Sequence, residues 1–122
     1  METRQEERSE EEQKEPGLPH HCLRVWWRSL ELVKLVKRCP PGNAELRDQA
    51  TRAAMSVGLN ISEGAALDGA AKLRHYKGAR GSLVEVVAAY EMAEAIGESV
   101  PVSAVLEQGR ILYAMLTKLI RR

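Results

Sequence analysis

Four stretches of this sequence repeat apolar residues with the period of an α-helix, and proline or glycine separates each stretch from the next. In the first stretch, Leu23, Trp26 and Leu30 recur at spacings of three and four residues, which places them on one helical face. The segment "CPPGN" stops this helix, because proline has no backbone N–H to continue it, and "GESVP" stops the third. The predicted helices span residues 22–38, 44–63, 72–96 and 102–121.

No strand pattern competes with these helices, because β-branched runs are short, alanine is abundant and phenylalanine is absent. Short connections between helices of similar length favour antiparallel neighbours. We therefore predict an all-α fold, in which residues 22–122 form one domain, an antiparallel up-down four-helix bundle.

Residues 1–21, which precede the bundle, differ from it in composition. Residues 1–15 contain seven acids and three bases, a net charge of −4, whereas the whole chain has a formal charge of +1. Such a segment is too polar to bury, so we predict a disordered acidic tail followed by the linker "PGLPHH". Its acidity serves either solvation or competition for a basic surface on the bundle.

The sequence shows no sign of secretion or membrane insertion. The N-terminus is acidic, and no apolar run approaches the roughly 20 residues that a membrane span needs. Cys22 and Cys39 stand at the two ends of the first predicted helix, roughly 25 Å apart, so we expect free thiols. These features predict a soluble, cytoplasmic protein.

Residues typical of catalysis or of cofactor binding are not arranged in any familiar pattern. His20 and His21 have no ligand partner at metal-binding spacing, and no serine lies in a strand–turn–helix elbow. We therefore predict that the protein is not an enzyme and has no catalytic residue, metal, cofactor or small-molecule substrate.

The segment "SVGLNISEG" ends the second predicted helix and raises the question of a phosphate loop. It lacks the lysine and the position before a helix that such a loop needs, so we assign it a structural role. Gly58 permits a bend or a close helix contact, and Asn60 and Glu63 are near enough to share a hydrogen-bond network. Gly64 is expected to stop the helix in the left-handed conformation.

The third predicted helix has small residues on the side away from its core stripe, and this side predicts an oligomer interface. Two glycines inside a helix cost about 1 kcal/mol each relative to alanine, and an exposed face gains nothing from that cost. A large apolar area beyond one core usually contacts a partner. The predicted interface residues are Trp27, Gly78, Gly81, Ser82, Ala89 and Met92.

Basic residues are the remaining functional signal. Several of them crowd the start of the third helix, where the helix dipole disfavours cations, whereas the dipole explains those at the C-terminus of the chain. A positive patch of this kind indicates backbone-driven binding of nucleic acid with weak sequence specificity. The predicted phosphate contacts are Arg47, Arg52, Lys72, Arg74, Lys77 and Arg80.

Three segments of the sequence resemble a known family: "RVWWRSLELVKLV", "LRDQATRAAMSVGLNISEG" and "HYKGARGSLVEVVAAYEMAEAIG". They are similar to the four-helix-bundle family of ribosomal RNA intervening-sequence proteins, which includes the accessory variability determinant (Avd) proteins of diversity-generating retroelements. The most specific part is the pattern R-A-A-x-S-x-x-x-N-I-x-E-G, matched from Arg52 to Gly64. The resemblance covers approximately residues 23–122.

The resemblance implies a non-enzymatic bundle that assembles into a homopentameric ring. For the retroelement members it also implies nucleic acid and a reverse transcriptase as partners. The chain departs from the family pattern at Gly58, where proline is usual, and after Gly64, where "AALDGAAK" replaces a basic stretch. A protein–protein scaffold without nucleic-acid binding is therefore the alternative function.

Overall fold

The computed structural model describes residues 17–122, and within that range the chain is helical and has no β-strand. A short 3₁₀ helix at Pro19–Cys22 precedes four α-helices, which we number in chain order. They are α1 (Arg24–Arg38), α2 (Ala44–Ala66), α3 (Gly69–Ala95) and α4 (Val102–Arg121). The all-α class and the four helices predicted from the sequence are confirmed. The predicted acidic tail at residues 1–15 lies outside the described residues.

The helix boundaries follow local signals in the sequence. Asn43 caps α2, because its side chain accepts a hydrogen bond from the backbone N–H of Leu46 at 3.0 Å. The third helix begins at Gly69, earlier than the predicted residue 72. Gly69 has a φ of +57°, a left-handed value that glycine adopts without steric cost. Helix α4 spans the predicted residues 102–121.

Gly64 does not end α2, so the predicted left-handed stop is wrong. The helix continues to Ala66, and Gly64 is not among the residues with positive φ. A Cβ atom at Gly64 would lie 2.7 Å from Cε1 of Tyr76, closer than side chains pack. Gly64 is therefore required because the Tyr76 ring of α3 packs directly against the backbone of α2.

The core lies between the four helices and is mainly aliphatic, with the fully buried Tyr90 among its largest side chains. The hydroxyl of Tyr90 donates a hydrogen bond to the carbonyl oxygen of Cys39, at the end of α1, at 2.8 Å. Burial, together with the nearby Cys39, raises the pKa of Tyr90 to about 12. The phenol therefore stays neutral in the folded protein well above pH 10. Other fully buried side chains are Leu32, Val57, Ile61, Leu83, Val86, Leu112 and Leu116.

Contacts between individual residues show which part of α2 lies against which part of α3. The backbone N–H of Gly42, just before α2, donates to the Glu98 carboxylate, just after α3. Midway along, the hydroxyls of Ser56 and Ser82 are 2.9 Å apart. The late part of α2 thus contacts the early part of α3, and Gly64 against Tyr76 follows the same order.

Helix α1 and the preceding 3₁₀ helix complete the structure. The Trp26 ring of α1 contacts α2 beside Gly58, where a Cβ atom would lie 3.4 Å from ring atom Cζ3. The 3₁₀ helix contacts α1 and α2, and the Trp27 indole N–H donates to the carbonyl oxygen of His21 at 3.2 Å. Neither Cys22 nor Cys39 forms a disulfide. Among the helices of residues 17–122, none is long and apolar enough to cross a membrane.

Candidate nucleic-acid interface

Charge is segregated along the α3–α4 pair. Residues 69–84 of α3 and residues 108–122 around the end of α4 together contain eight bases and no acid. The intervening residues 85–107 contain five acids and no base. We call the first two stretches the basic end and the third the acidic stretch. The bases of the basic end are Lys72, Arg74, Lys77, Arg80, Arg110, Lys118, Arg121 and Arg122.

Side-chain contacts bring the two halves of the basic end together. The guanidinium of Arg80 donates a hydrogen bond from Nη1 to Oγ1 of Thr117 in α4 at 3.1 Å. The same guanidinium lies 5.3 Å from the centre of the Tyr113 ring, a cation–π contact. These contacts keep the Arg80 side chain against the surface of α4. They also show that the first half of α3 lies beside the last half of α4.

Most bases of the basic end point into solvent, with only Lys72 and Arg80 half-buried. Lys72 donates from Nζ to the carbonyl oxygen of Ala65 at 3.4 Å and lies over the Tyr76 ring. Within residues 17–122, none of the eight bases forms an ion pair with an acid. A surface of like charges without counter-charges attracts a polyanion and is screened by salt.

The structure brings together four of the six bases predicted to contact phosphate and separates the other two. Lys72, Arg74, Lys77 and Arg80 share the first half of α3, whereas Arg47 lies near the opposite end of the bundle, roughly 20 Å along the helix axes from Lys77. Arg47 donates from Nη1 to the carbonyl oxygen of Gly42 at 2.9 Å, close to the Glu98 carboxylate.

Arg52 lies on α2 four residues before Ser56, and therefore about 6 Å further from the basic end than the contact between Ser56 and Ser82. It lines a groove of about 390 Å³ together with Glu63 and a second groove of about 360 Å³ together with Glu85. Arg52 is therefore not part of the basic end. The sequence interpretation missed Arg110 and assigned the C-terminal bases to the helix dipole. Counting acids as well as bases along the two segments would have found them.

The "SVGLNISEG" segment contributes to a polar network between α2 and α3. The Asn60 side-chain amide donates from Nδ2 to Ser56, and its Oδ1 accepts from Nδ1 of His75 at 2.9 Å. The other ring nitrogen of His75 lies 3.4 Å from the Glu63 carboxylate. Asn60 and Glu63 thus converge on one histidine, and Ser82 completes the network through Ser56.

This network does not have the geometry of a nucleophilic site. The Ser56 hydroxyl contacts Asn60 and Ser82 but no base that could accept its proton. Both nitrogens of His75 are engaged by Asn60 and Glu63. Within residues 17–122, no three His, Cys, Asp or Glu side chains are grouped closely enough to hold a metal ion. The network therefore joins the two helices.

The residues predicted for an oligomer interface fall into different environments. Gly81 is exposed, and within residues 17–122 a Cβ atom added there would meet no atom within 4 Å; Met92 is 59% exposed on the same outer side. Gly78 and Ser82 instead face α2, because a Cβ atom at Gly78 would lie 3.3 Å from Oδ1 of Asn60 and Ser82 contacts Ser56. Trp27 is half-buried and contacts His21.

The interface prediction is wrong for Ala89, which is only 4% exposed and belongs to the core. Ala89 lies two helical turns after Ser82, and therefore on the flank that faces α2. The core arc of α3 is wider than a single apolar stripe, because α2 and α4 both pack against it. Small residues on that flank serve contacts within the chain.

Within residues 17–122, the structure combines four α-helices, a polar network between α2 and α3, and a basic end whose bases form no ion pair with an acid. The sequence profile of the 23S rRNA-intervening sequence protein family matches residues 21–109, which include α1, α2, α3 and the first part of α4. The chain belongs to this family, as the resemblance indicated. No curated protein matches the sequence.

Proposed function

We propose that the protein is a non-enzymatic, homo-oligomeric bundle that binds the phosphate backbone of RNA or DNA through its basic end. The observation that carries this proposal is the set of eight bases without a single acid among them. Phosphates would supply the counter-charges that these bases lack within residues 17–122. The family's name associates its members with 23S rRNA, which favours RNA as the ligand.

The geometry favours backbone contacts over base readout. Arg74, Lys77 and Arg121 are exposed and can each approach a phosphate, whereas Arg80 is held by Thr117. Contacts of this kind position a nucleic acid without reading its sequence. We place Arg47 and Arg52 outside the main contact surface, because the structure sets them apart from the basic end.

The test is a salt titration of binding to a labelled 20-nucleotide RNA and to the matching DNA duplex, followed by fluorescence anisotropy. If about four phosphates are contacted, the association constant should fall on the order of 100-fold between 50 and 200 mM salt. The triple variant Arg74→Gln, Lys77→Gln, Arg121→Gln should bind at least about tenfold more weakly at 50 mM salt and show a shallower salt dependence.

A matched control removes the same charge elsewhere. Lys34, Lys37 and Arg38 are exposed on the second half of α1, and their triple replacement by glutamine should change the affinity by less than about twofold. Absence of binding at 50 mM salt, or equal losses in the two triple variants, would refute the proposal.

Assembly is the second part of the proposal: we infer an antiparallel up-down bundle that forms a homopentameric ring. The order of contacts between α2 and α3 supports the antiparallel arrangement. The outer side of α3 supports association, because Val84 and Met92 are 52% and 59% exposed there. Gly81 lies on the same side of the helix, about one turn before Val84. The number five rests on the family resemblance.

Light scattering tests the assembly. Gly81→Leu should dissociate the oligomer and preserve helicity, because among residues 17–122 no atom outside the local helix lies within 4 Å of a Cβ atom placed at Gly81. Ala114→Leu, at an exposed position of α4, is the control that should leave the mass unchanged. A monomeric wild-type protein would end this part of the proposal.

A protein–protein scaffold is the second candidate function, and the exposed apolar side chains on α3 favour it. A reverse transcriptase is the protein partner that the resemblance to accessory variability determinant proteins implies. A scaffold predicts association that survives high salt together with no nucleic-acid binding, so the same titration separates the two functions.

A further inference from the structure

The first described residues lie near the basic end, and this position suggests a role for the acidic segment that precedes them. Trp26, near the start of α1, contacts α2 beside Gly58. The following turns of α2 contact the basic end, since Asn60 bonds to His75 and Gly64 packs on Tyr76. The 3₁₀ helix before α1 contacts α2 as well. The first described residues therefore lie at the end of the bundle that carries the basic end.

We propose that the acidic N-terminal segment, residues 1–16, docks on the basic end of its own chain and competes there with nucleic acid. The proposal rests on the proposed function, because it names the regulation of the same surface. It assigns a role to the acidic segment that precedes the bundle.

Charge complementarity is the first argument. Residues 6–12, "EERSEEE", contain five acids and one base, and the basic end contains eight bases and no acid. No acid occurs in residues 69–84 or 108–122, and the nearby acids Glu63 and Asp68 are too few to balance the eight bases. Opposite charges that are attached to one chain meet at an effective concentration in the millimolar range.

Reach is the second argument. A flexible chain of 16 residues has a root-mean-square span of about 20 Å and a fully extended length of about 50 Å. The basic half of α3, residues 69–84, is roughly 24 Å long. The segment can therefore lie along the basic end without any rearrangement of the helices.

The test uses full-length variants that leave the bundle unchanged. In the tail variant, Glu6, Glu7, Glu10 and Glu11 are replaced by glutamine. In the control variant, the exposed Glu85, Glu91, Glu94 and Glu107 of the acidic stretch are replaced by glutamine, which changes the net charge by the same amount. Glu98 is kept, because it accepts hydrogen bonds from the backbone.

Affinity for the labelled RNA is measured for both variants across a salt series. The tail variant should bind on the order of tenfold more tightly than wild type at 50 mM salt and less than twofold more tightly at 300 mM salt. The control variant should gain less than threefold at 50 mM salt. Equal gains in the two variants would show a general charge effect and overturn the proposal.

A second readout does not depend on nucleic acid. Zero-length carbodiimide coupling joins a carboxylate to a lysine in contact with it, and mass spectrometry identifies the pair. Docking predicts that glutamates of residues 1–16 couple to Lys77 and Lys118 at low salt, in preference to the exposed Lys34 and Lys37 of α1. These crosslinks should disappear at 500 mM salt, about where charges more than a few ångströms apart are screened.

RNA affinity and crosslinking together distinguish the proposed function from the docking of the acidic segment. Crosslinks at the basic end of a protein that binds no RNA or DNA would refute the proposed function and uphold the docking contact. RNA binding without those crosslinks would uphold the proposed function and overturn the docking. Crosslinks found only between chains, in a mixture of isotopically labelled and unlabelled protein, would also overturn docking within one chain.

Discussion

The two ends of the bundle differ in whether their charged side chains are bonded to other parts of the chain. At the end where α2 begins and α3 stops, the Glu98 carboxylate accepts hydrogen bonds from the backbone N–H groups of Gly42 and Asn43 at 2.6 and 2.8 Å. Tyr90 bonds to the carbonyl oxygen of Cys39 near the same end. At the basic end, none of the eight bases pairs with an acid within residues 17–122.

This difference indicates which end is available for a partner. Polar groups at the first end are used to join segments, so changes there should affect stability. Helices at the basic end are joined by close packing, as between Gly64 and Tyr76, and by the network around His75, while most of the bases remain in solvent. Changes of charge there should affect binding and leave stability nearly constant.

The largest effect expected from a single substitution tests the claim that close packing holds the basic end. Gly64→Ala should destabilise the protein by about 2 kcal/mol, because the new methyl group overlaps the buried Tyr76 ring and alanine's better helix propensity offsets only part of that cost. Urea unfolding measures the change. The matched control is Ala114→Gly at an exposed position of α4, which measures the helix-propensity difference alone and should destabilise by up to about 1 kcal/mol. A neutral Gly64→Ala variant would contradict the packing argument.

An alkaline titration tests the hydrogen bond of Tyr90, near the end of the bundle where α2 begins and α3 stops. Because the pKa of Tyr90 is raised to about 12 in the folded protein, from its ordinary value of 10.0, the neutral phenol contributes stability that is fully present below pH 10. That stability is lost as the pH rises from 10 through 12, by about 2–3 kcal/mol in all. Unfolding in urea at several pH values should show this loss in wild type and a weaker one in Tyr90→Phe. Identical pH profiles for the two proteins would contradict it.

Replacing Glu98 tests whether the carboxylate joins α2 to the end of α3. Glu98→Gln should cost about 1–2 kcal/mol, because a charged acceptor of two backbone N–H groups becomes a neutral one. RNA affinity should change by less than about twofold, since the residue lies at the end opposite to the basic end. Glu107→Gln, an exposed acid on α4, is the stability control. A large change in affinity would show that the two ends do not act separately.

The smallest effect is expected for the basic end itself. The double variant Lys118→Gln, Arg121→Gln should raise stability by up to about 0.5 kcal/mol at low salt, because like charges repel one another there. The gain should vanish at 500 mM salt in thermal unfolding experiments. A clear loss of stability would mean that these bases have a structural role, and it would weaken the comparison between the two ends.

Much of the structure could be predicted from the sequence, because the relevant signals are local. The helical period, the prolines after Cys39 and the capping Asn43 each act within a few residues, and the four helices follow from them. The roles of glycine were harder to assign. Gly64, Gly78 and Gly81 look alike in sequence, yet one contacts Tyr76, one faces Asn60 and one lies in open space.

The candidate site likewise has features that could be predicted from the sequence and features that could not. The bases of α3 were recognised from their unusual position at a helix start, but Arg47 was grouped with them although it lies at the other end of the bundle. The C-terminal bases were assigned to the helix dipole, because nothing local connects them to α3. The packing of α4 against α3, which includes the contact of Arg80 with Thr117 and Tyr113, brings them beside that helix.

The sequence by itself determined the helices, the family and the segregation of acids from bases, since each of these depends on residue order along one segment. Tertiary structure alone decided which charges share a surface and which small residues remain exposed, because both depend on the partner that each helical face meets. The segment "SVGLNISEG" illustrates the point: its pattern identifies the family, while its side chains form the joint between α2 and α3. Packing against His75, Tyr76 and Ser82 assigns it that role.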